Sequence, residues 1–141
     1  MVSASLAPRP PMDGIERLTE ADAPQMRALA DLTKPGPFHT RTHELGTFWG
    51  VKRDGELIAM AGERLQLTGF TEVSGVCTHP DHRGHGFAGT LSLVVAWRIA
   101  DRGETPFLHA YAGNAPAIRL YEQLGFALRT YVNVTFLTRS P

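Results

Sequence analysis

Ten consecutive residues, His79-Pro80-Asp81-His82-Arg83-Gly84-His85-Gly86-Phe87-Ala88, gather the side chains best suited to hold an anion. They lie between an apolar strand, Val73-Ser74-Gly75-Val76-Cys77-Thr78, and an apolar helix. That helix has Ala88, Leu91, Val95 and Ile99 spaced three, four and four apart, on one face. A helix that starts in a glycine turn aims free N–H groups and the positive end of its dipole at whatever lies above the turn, which favours phosphate. Glycine permits close backbone approach, and the Arg83 guanidinium offers a bidentate grip on phosphate oxygens. Gly84 to Gly89 also satisfies G-x-G-x-x-G, the dinucleotide fingerprint. That fingerprint needs a strand running straight into its first glycine, and here polar residues 79–83 intervene. The carboxylate some twenty residues on, Glu104, lies in a Gly-Glu-Thr-Pro turn, and no Gly-Lys-Ser/Thr follows to make a P-loop. His79, His82 and His85, with Asp81 and Cys77, would converge on a metal only from a helix, which Pro80 and the glycines oppose. No metal is expected.

Read from Arg83, the run is Arg83-x-x-Gly86-x-Ala88, which resembles the coenzyme A signature of the GNAT superfamily of acyl-CoA N-acyltransferases. Residues 114–126, an Asn followed by a short helix with Tyr121 and then Gly125-Phe126, resemble that family's later motif. The two motifs together cover about Thr71 to Phe126. The resemblance implies acetyl-CoA as acyl donor and no metal. It implies that Arg83, Gly84, His85, Gly86, Phe87, Ala88 and Gly89 hold the pyrophosphate. It further implies that Val76, Cys77 and Thr78 pair with the pantetheine arm, with the Val76 N–H as oxyanion donor, and that Asn114 and Tyr121 also meet the cofactor. His85 departs mildly from the Lys, Arg or Gln common at that point in the family, which predicts weaker cofactor binding above neutral pH.

Acetyl transfer to an amine needs an unprotonated nitrogen, a stabilised oxyanion and a protonated leaving thiol. An alkylamine of lysine-like pKa is only about one part in a few thousand neutral at pH 7, so a base is required. Glu72 is the first candidate. It lies eleven residues before Arg83, the register of the general-base glutamate in the histone-acetylating branch of the family. Glu63 on the preceding strand and His109 on the following one are the alternatives. Tyr121 is the candidate acid that returns a proton to the thiolate, although Ala117, Leu120 and Leu124 mark a buried stripe that it flanks. Asn114 suits a helix cap as well as a cofactor contact. Cys77 reads as a small buried hydrophobe rather than an acyl carrier.

The elements that position these groups form an α+β domain over residues 13–141, behind a flexible tail at 1–12 with three prolines. A strand at Ile15–Leu18 leads to a helix capped by Thr19, with Asp22 and Pro24 in its first turn. Thr33–Gly46 is a long loop, and with Phe38, His39, Arg41, His43 and Trp49 it is the expected border of the acceptor pocket. Thr47–Lys52 and Leu57–Gln66 form a hairpin around Asp54-Gly55, and Thr71–Thr78 follows. After the long helix come a strand at Phe107–Ala110, the short helix, and a closing pair at Phe126–Arg129 and Val132–Leu137. The order β-α-β-β-β-α-β-α-β-β predicts a mixed, mostly antiparallel sheet of six or seven strands flanked by helices.

With 14 basic and 14 acidic residues the net charge is zero, so no nucleic-acid or anionic-membrane surface is expected. No apolar run reaches spanning length, no signal pattern opens the chain, and Cys77 is its one cysteine. The expectation is a cytoplasmic monomer or homodimer that acetylates a small-molecule or peptide amine. The alternative is a non-catalytic acyl-CoA-binding regulatory module of the same fold.

Overall fold

The computed structural model describes every residue except 40, 136, 138, 140 and 141. The strands are β1 (Val2–Ser3), β2 (Glu16–Arg17), β3 (Phe48–Arg53), β4 (Glu56–Leu67), β5 (Phe70–Thr78), β6 (Thr105–Phe107) and β7 (Phe126–Ala127). The α-helices are α1 (Ala23–Thr33), α2 (Phe87–Asp101) and α3 (Ala115–Leu124). They build a seven-stranded sheet of order β2-β3-β4-β5-β6-β1-β7 in which β5 and β6 alone run parallel. The mixed, mostly antiparallel sheet expected from the sequence is therefore present.

Three register shifts decide which side chains face which helix, one between β3 and β4 and two between β4 and β5. Of the latter two, the shift at Glu63–Gln66 opposite Thr71–Val73 puts Glu63 and Glu72 on opposite faces. Opposite Val51 and Lys52, β4 carries Ile58 as an extra residue. Beyond it, Ala59 and Ala61 join the core under α2, with Leu91, Val95 and Ile99. Leu57 and Met60 join the other core, with Met26, Leu29 and Ala30 of α1. In β5 the register with β4 shifts between Ser74 and Cys77, and Gly75 there has φ of 64°. An inserted residue flips the alternation of a strand. Val73 accordingly packs toward α2 and Cys77 toward α1, although both are odd-numbered.

Local signals are met where they are strongest. Asp54 and Gly55 both have positive φ, 51° and 77°, as a tight hairpin turn requires. The Thr19 N–H donates to Asp22 Oδ2 at 2.8 Å, though a short 3₁₀ turn at Glu20–Asp22 precedes α1.

Two expectations fail. Residues 1–12 are not a detached tail, because Val2 and Ser3 enter the sheet between β6 and β7. The amino group of Met1 donates to the Leu108 carbonyl at 2.7 Å, and the Trp97 indole donates to the Ala7 carbonyl at 2.9 Å. Leu6 and Ala7 pack on the α2 core, so apolar burial outweighs the breaking effect of the nearby prolines. The strand expected over Val132–Leu137 is not formed among its described residues, and Phe136 lies outside them. β7 pairs with β1 on one side and ends the described sheet on the other.

Candidate active site

The anion-binding turn takes the form its composition predicts. Gly84 and Gly86 have φ of 85° and 76°, and Gly86 is the N-cap of α2. No side chain caps that helix start and no acidic residue lies in its first turn, so its leading N–H groups are left for an external acceptor. A Cβ built on Gly84 or Gly86 would meet nothing within 4 Å. The space beside them is a cleft of about 300 Å³ lined by Thr78, His82, Arg83, Gly84, His85, Gly86, Phe87, Ala88, Gly89 and Leu120. Arg83 is exposed and has no ion-pair or hydrogen-bond partner among the described residues. His79 is occupied otherwise: its Nδ1 accepts from the Asp81 N–H at 3.1 Å. The one group of three gathered metal-ligating side chains among the described residues is elsewhere, at Glu20, His43 and Glu44. The cleft fits a pyrophosphate-bearing substrate: it is roomy, cationic at its rim and floored by free N–H groups.

Beside this cleft the sheet comes apart. β5 and β6 pair over Phe70–Glu72 and Thr105–Phe107 only. Beyond that point Leu108 exchanges both backbone hydrogen bonds with Met1, not with β5. The His79 N–H reaches back to the Ile58 carbonyl at 2.7 Å, on the β4 side. Backbone N–H groups alternate along a regular strand, so that of Thr78, next to His79, turns to the side where β6 has left. The Cys77 side chain instead points into the α1 core. Burial pushes its thiol up to about 11, so the acyl-carrier role has no support and any cofactor contact of Cys77 is through its backbone.

The two candidate carboxylates lie on opposite faces. Glu63 pairs in register with Val73, on the α2 side, and accepts from both terminal nitrogens of Arg102 at 2.8 and 3.2 Å. Gly46, at the end of the Thr33–Gly46 loop, lies directly against its Cβ. Glu72 is on the opposite face, bonded to Arg64, which with Pro35, Gly36, Pro37, Phe38 and Ser74 lines a narrow groove that Glu72 itself does not line. Glu72 is 2% exposed, and both of its oxygens are engaged. Oε1 accepts from Arg64 Nη2 at 2.8 Å and lies 3.2 Å from His109 Nδ1, while Oε2 accepts from Arg64 Nε at 3.3 Å. Arg64 was not singled out from the sequence. The signal for it was a basic residue directly after Glu63 on a strand otherwise dense in small apolar residues.

Of the loop residues expected at the acceptor site, Phe38 lines the groove and stacks edge-on to Phe48 at 5.7 Å. Arg41 pairs with Glu44 and His43 with Glu20, while Trp49 lies under Arg98 of α2. Their position in sequence did not bring them to the groove. Asn114 caps α3, its Oδ1 accepting from the Ala117 N–H at 3.3 Å. Tyr121 does not line the cleft. It packs against the α2 core, edge-on to Phe126 at 6.3 Å, and burial raises its pKa.

Known proteins give this geometry a context. Residues 49–134 match the family model described as FR47-like protein. A mycothiol acetyltransferase of Thermomonospora curvata is 34% identical over 92 residues, 64% of this chain and 31% of that protein. A GNAT-family structure from Novosphingobium aromaticivorans superposes with a TM-score of 0.87 at 50% identity, covering 91% of this chain and 58% of that one. The ribosomal-protein-S18-alanine N-acetyltransferase of Escherichia coli superposes with a TM-score of 0.71 at 25% identity, covering 82% and 78%. The chain spans about a third of the length of the first of these curated relatives. None of the helices among the described residues is long and apolar enough to cross a membrane.

Proposed function

This chain belongs to the FR47-like family, within the GNAT acetyltransferases, and on that premise we propose that it transfers an acetyl group from acetyl-CoA to a primary amine. The observation that carries the reading is the cleft at the uncapped start of α2, opening where β5 parts from β6. Arg83 and the N–H groups at Gly86–Gly89 hold the pyrophosphate. The free edge of Val76–Thr78 pairs with the pantetheine amides as an added strand would, and the Val76 N–H faces the oxyanion. The acceptor enters from the other side, past Pro35–Phe38, so that the amine meets the thioester over the gap between the strands.

In the reaction the amine nitrogen forms a bond to the thioester carbonyl carbon, and collapse of the oxyanion breaks the C–S bond. The groove side supplies the base, from the cluster around Glu72. Tyr121 is the candidate acid for the thiolate, a role that requires its ring to turn from the α2 core it packs on toward the cleft. Its raised pKa keeps the hydroxyl protonated, and an ordinary thiol pKa of about 8.5 makes donation uphill unless it accompanies bond breaking.

Isothermal titration with CoA and acetyl-CoA tests the reading, comparing wild type with the Arg83→Ala, Gly86→Asp double variant. Saturable binding that the variant loses supports it. Absence of binding by folded wild type sinks it. Binding without thiol release in the presence of any amine favours the non-catalytic acyl-CoA module instead.

A further inference from the structure

We propose that His109, not Glu72, is the group that takes the proton from the amine, with Glu72 as its positioning carboxylate and Arg64 as the anchor of Glu72. This rests on the acetyl-transfer reading above and assigns the base within it. A general base must reach the proton it removes, and Glu72 is 2% exposed with both oxygens already engaged. The His109 side chain is 43% exposed. It stands two residues beyond the end of β6, past the last paired residues of the parting strands.

The ring is oriented for the task. Nδ1 lies 3.2 Å from Glu72 Oε1, so the neutral imidazole carries its proton on Nδ1 and donates it to the carboxylate. Nε2, on the far side of the ring, is then an unprotonated acceptor. The groups facing His109 are Glu72 from β5, with Arg64 of β4 behind it, and the edge-on ring of Phe107 at 5.8 Å. Arg64 and Glu72 cancel in charge, so the cation formed on proton uptake meets a carboxylate and no net repulsion. The general chemistry agrees. Moving a proton from an alkylamine to an ordinary imidazole is unfavourable by about 10⁴, and to an ordinary carboxylate by about 10⁶.

The balance is as follows. The acceptor ammonium gives one proton to His109 Nε2, and its nitrogen pair forms the C–N bond. The C–S pair leaves on sulfur and takes a proton, the new amide nitrogen sheds its second proton, and one proton passes to solvent.

Two measurements test this. Two-bond ¹H–¹⁵N spectra of histidine-labelled protein, with His109 assigned by His109→Gln, are expected to show Nδ1 protonated and Nε2 bare in the neutral ring. An Nε2–H ring overturns the proposal. Thiol release from acetyl-CoA is then followed with phenethylamine, alanine amide and glucosamine from pH 6 to 9. His109→Gln is expected to lower kcat by about a hundredfold, leave the KM for acetyl-CoA unchanged and remove the acid limb of the kcat/KM profile. Glu72→Gln keeps a hydrogen bond to Arg64, and it lowers kcat less and displaces that limb. A His109→Gln enzyme with wild-type kcat and an intact acid limb overturns the proposal. Wild type that binds no CoA refutes the parent reading instead, and where CoA binds but no probe is acetylated the tautomer alone decides.

Discussion

Replacing Gly75 by alanine tests whether the β5 bulge organises the site. A residue held at φ of 64° loses about 1–2 kcal/mol when it gains a Cβ. The new Cβ would also lie 2.9 Å from Phe48 Cε1. Phe48 is 3% exposed and held edge-on by Phe38 at 5.7 Å, so its ring has little freedom to yield. Overpacking of this kind costs roughly 1–3 kcal/mol, giving a total of about 2–5 kcal/mol out of a typical 5–15. The chain escapes both penalties only by straightening the bulge, which would move Cys77 and Thr78 to the wrong faces and spoil the free edge beside the cleft. Urea denaturation and CoA titration are read together. Gly75→Ala is expected to lose stability by this amount and CoA affinity by at least about tenfold. Gly14→Ala, with φ of 74° and nothing within 4 Å of its Cβ, should lose about 1–2 kcal/mol and no CoA affinity. Equal losses for the two, or unchanged CoA binding by Gly75→Ala, refute the argument.

Arg83→Ala alone should weaken CoA binding by about 10- to 100-fold, the worth of roughly 1.5–3 kcal/mol in a charged hydrogen bond, with the urea midpoint unchanged. The Cys77 thiol, raised from 9.0 to about 11, should react with iodoacetamide at pH 8 about a hundredfold more slowly in the folded protein than in urea. Equal rates would place Cys77 outside the α1 core. Glu63→Gln should lower stability by about 1–3 kcal/mol through loss of the Arg102 pair, without changing the pH profile of acetyl transfer. Stability should also fall in acid. The Lys52 ammonium and the Thr19 N–H hold Asp22 below the ordinary 3.8, and Arg102 with Thr71 holds Glu104 below 4.5. The folded state thus binds these protons less tightly than the unfolded state. The stability they add is complete above about pH 5 and lost as pH falls through the lowered values, which urea midpoints from pH 6 to 2 would record.

Local chemistry was legible in the sequence because it needs only neighbours along the chain. The glycine turn with Arg83, the Asp54-Gly55 hairpin, the Thr19–Asp22 cap and Asn114 as cap of α3 all depend on residues within a few positions of each other. The apolar face of α2 follows from a 3.6-residue period in the same way. What depended on long-range burial was not legible. Val2–Ser3 joined the sheet through contacts with residues more than a hundred positions away. Glu63 and Glu72, alike as strand glutamates, were separated only by bulges that turn one toward Arg102 and the other toward Arg64 and His109. A strand sequence states that side chains alternate. The faces they finally occupy depend on inserted residues and partner strands, and those are settled only when the whole sheet closes around its two cores.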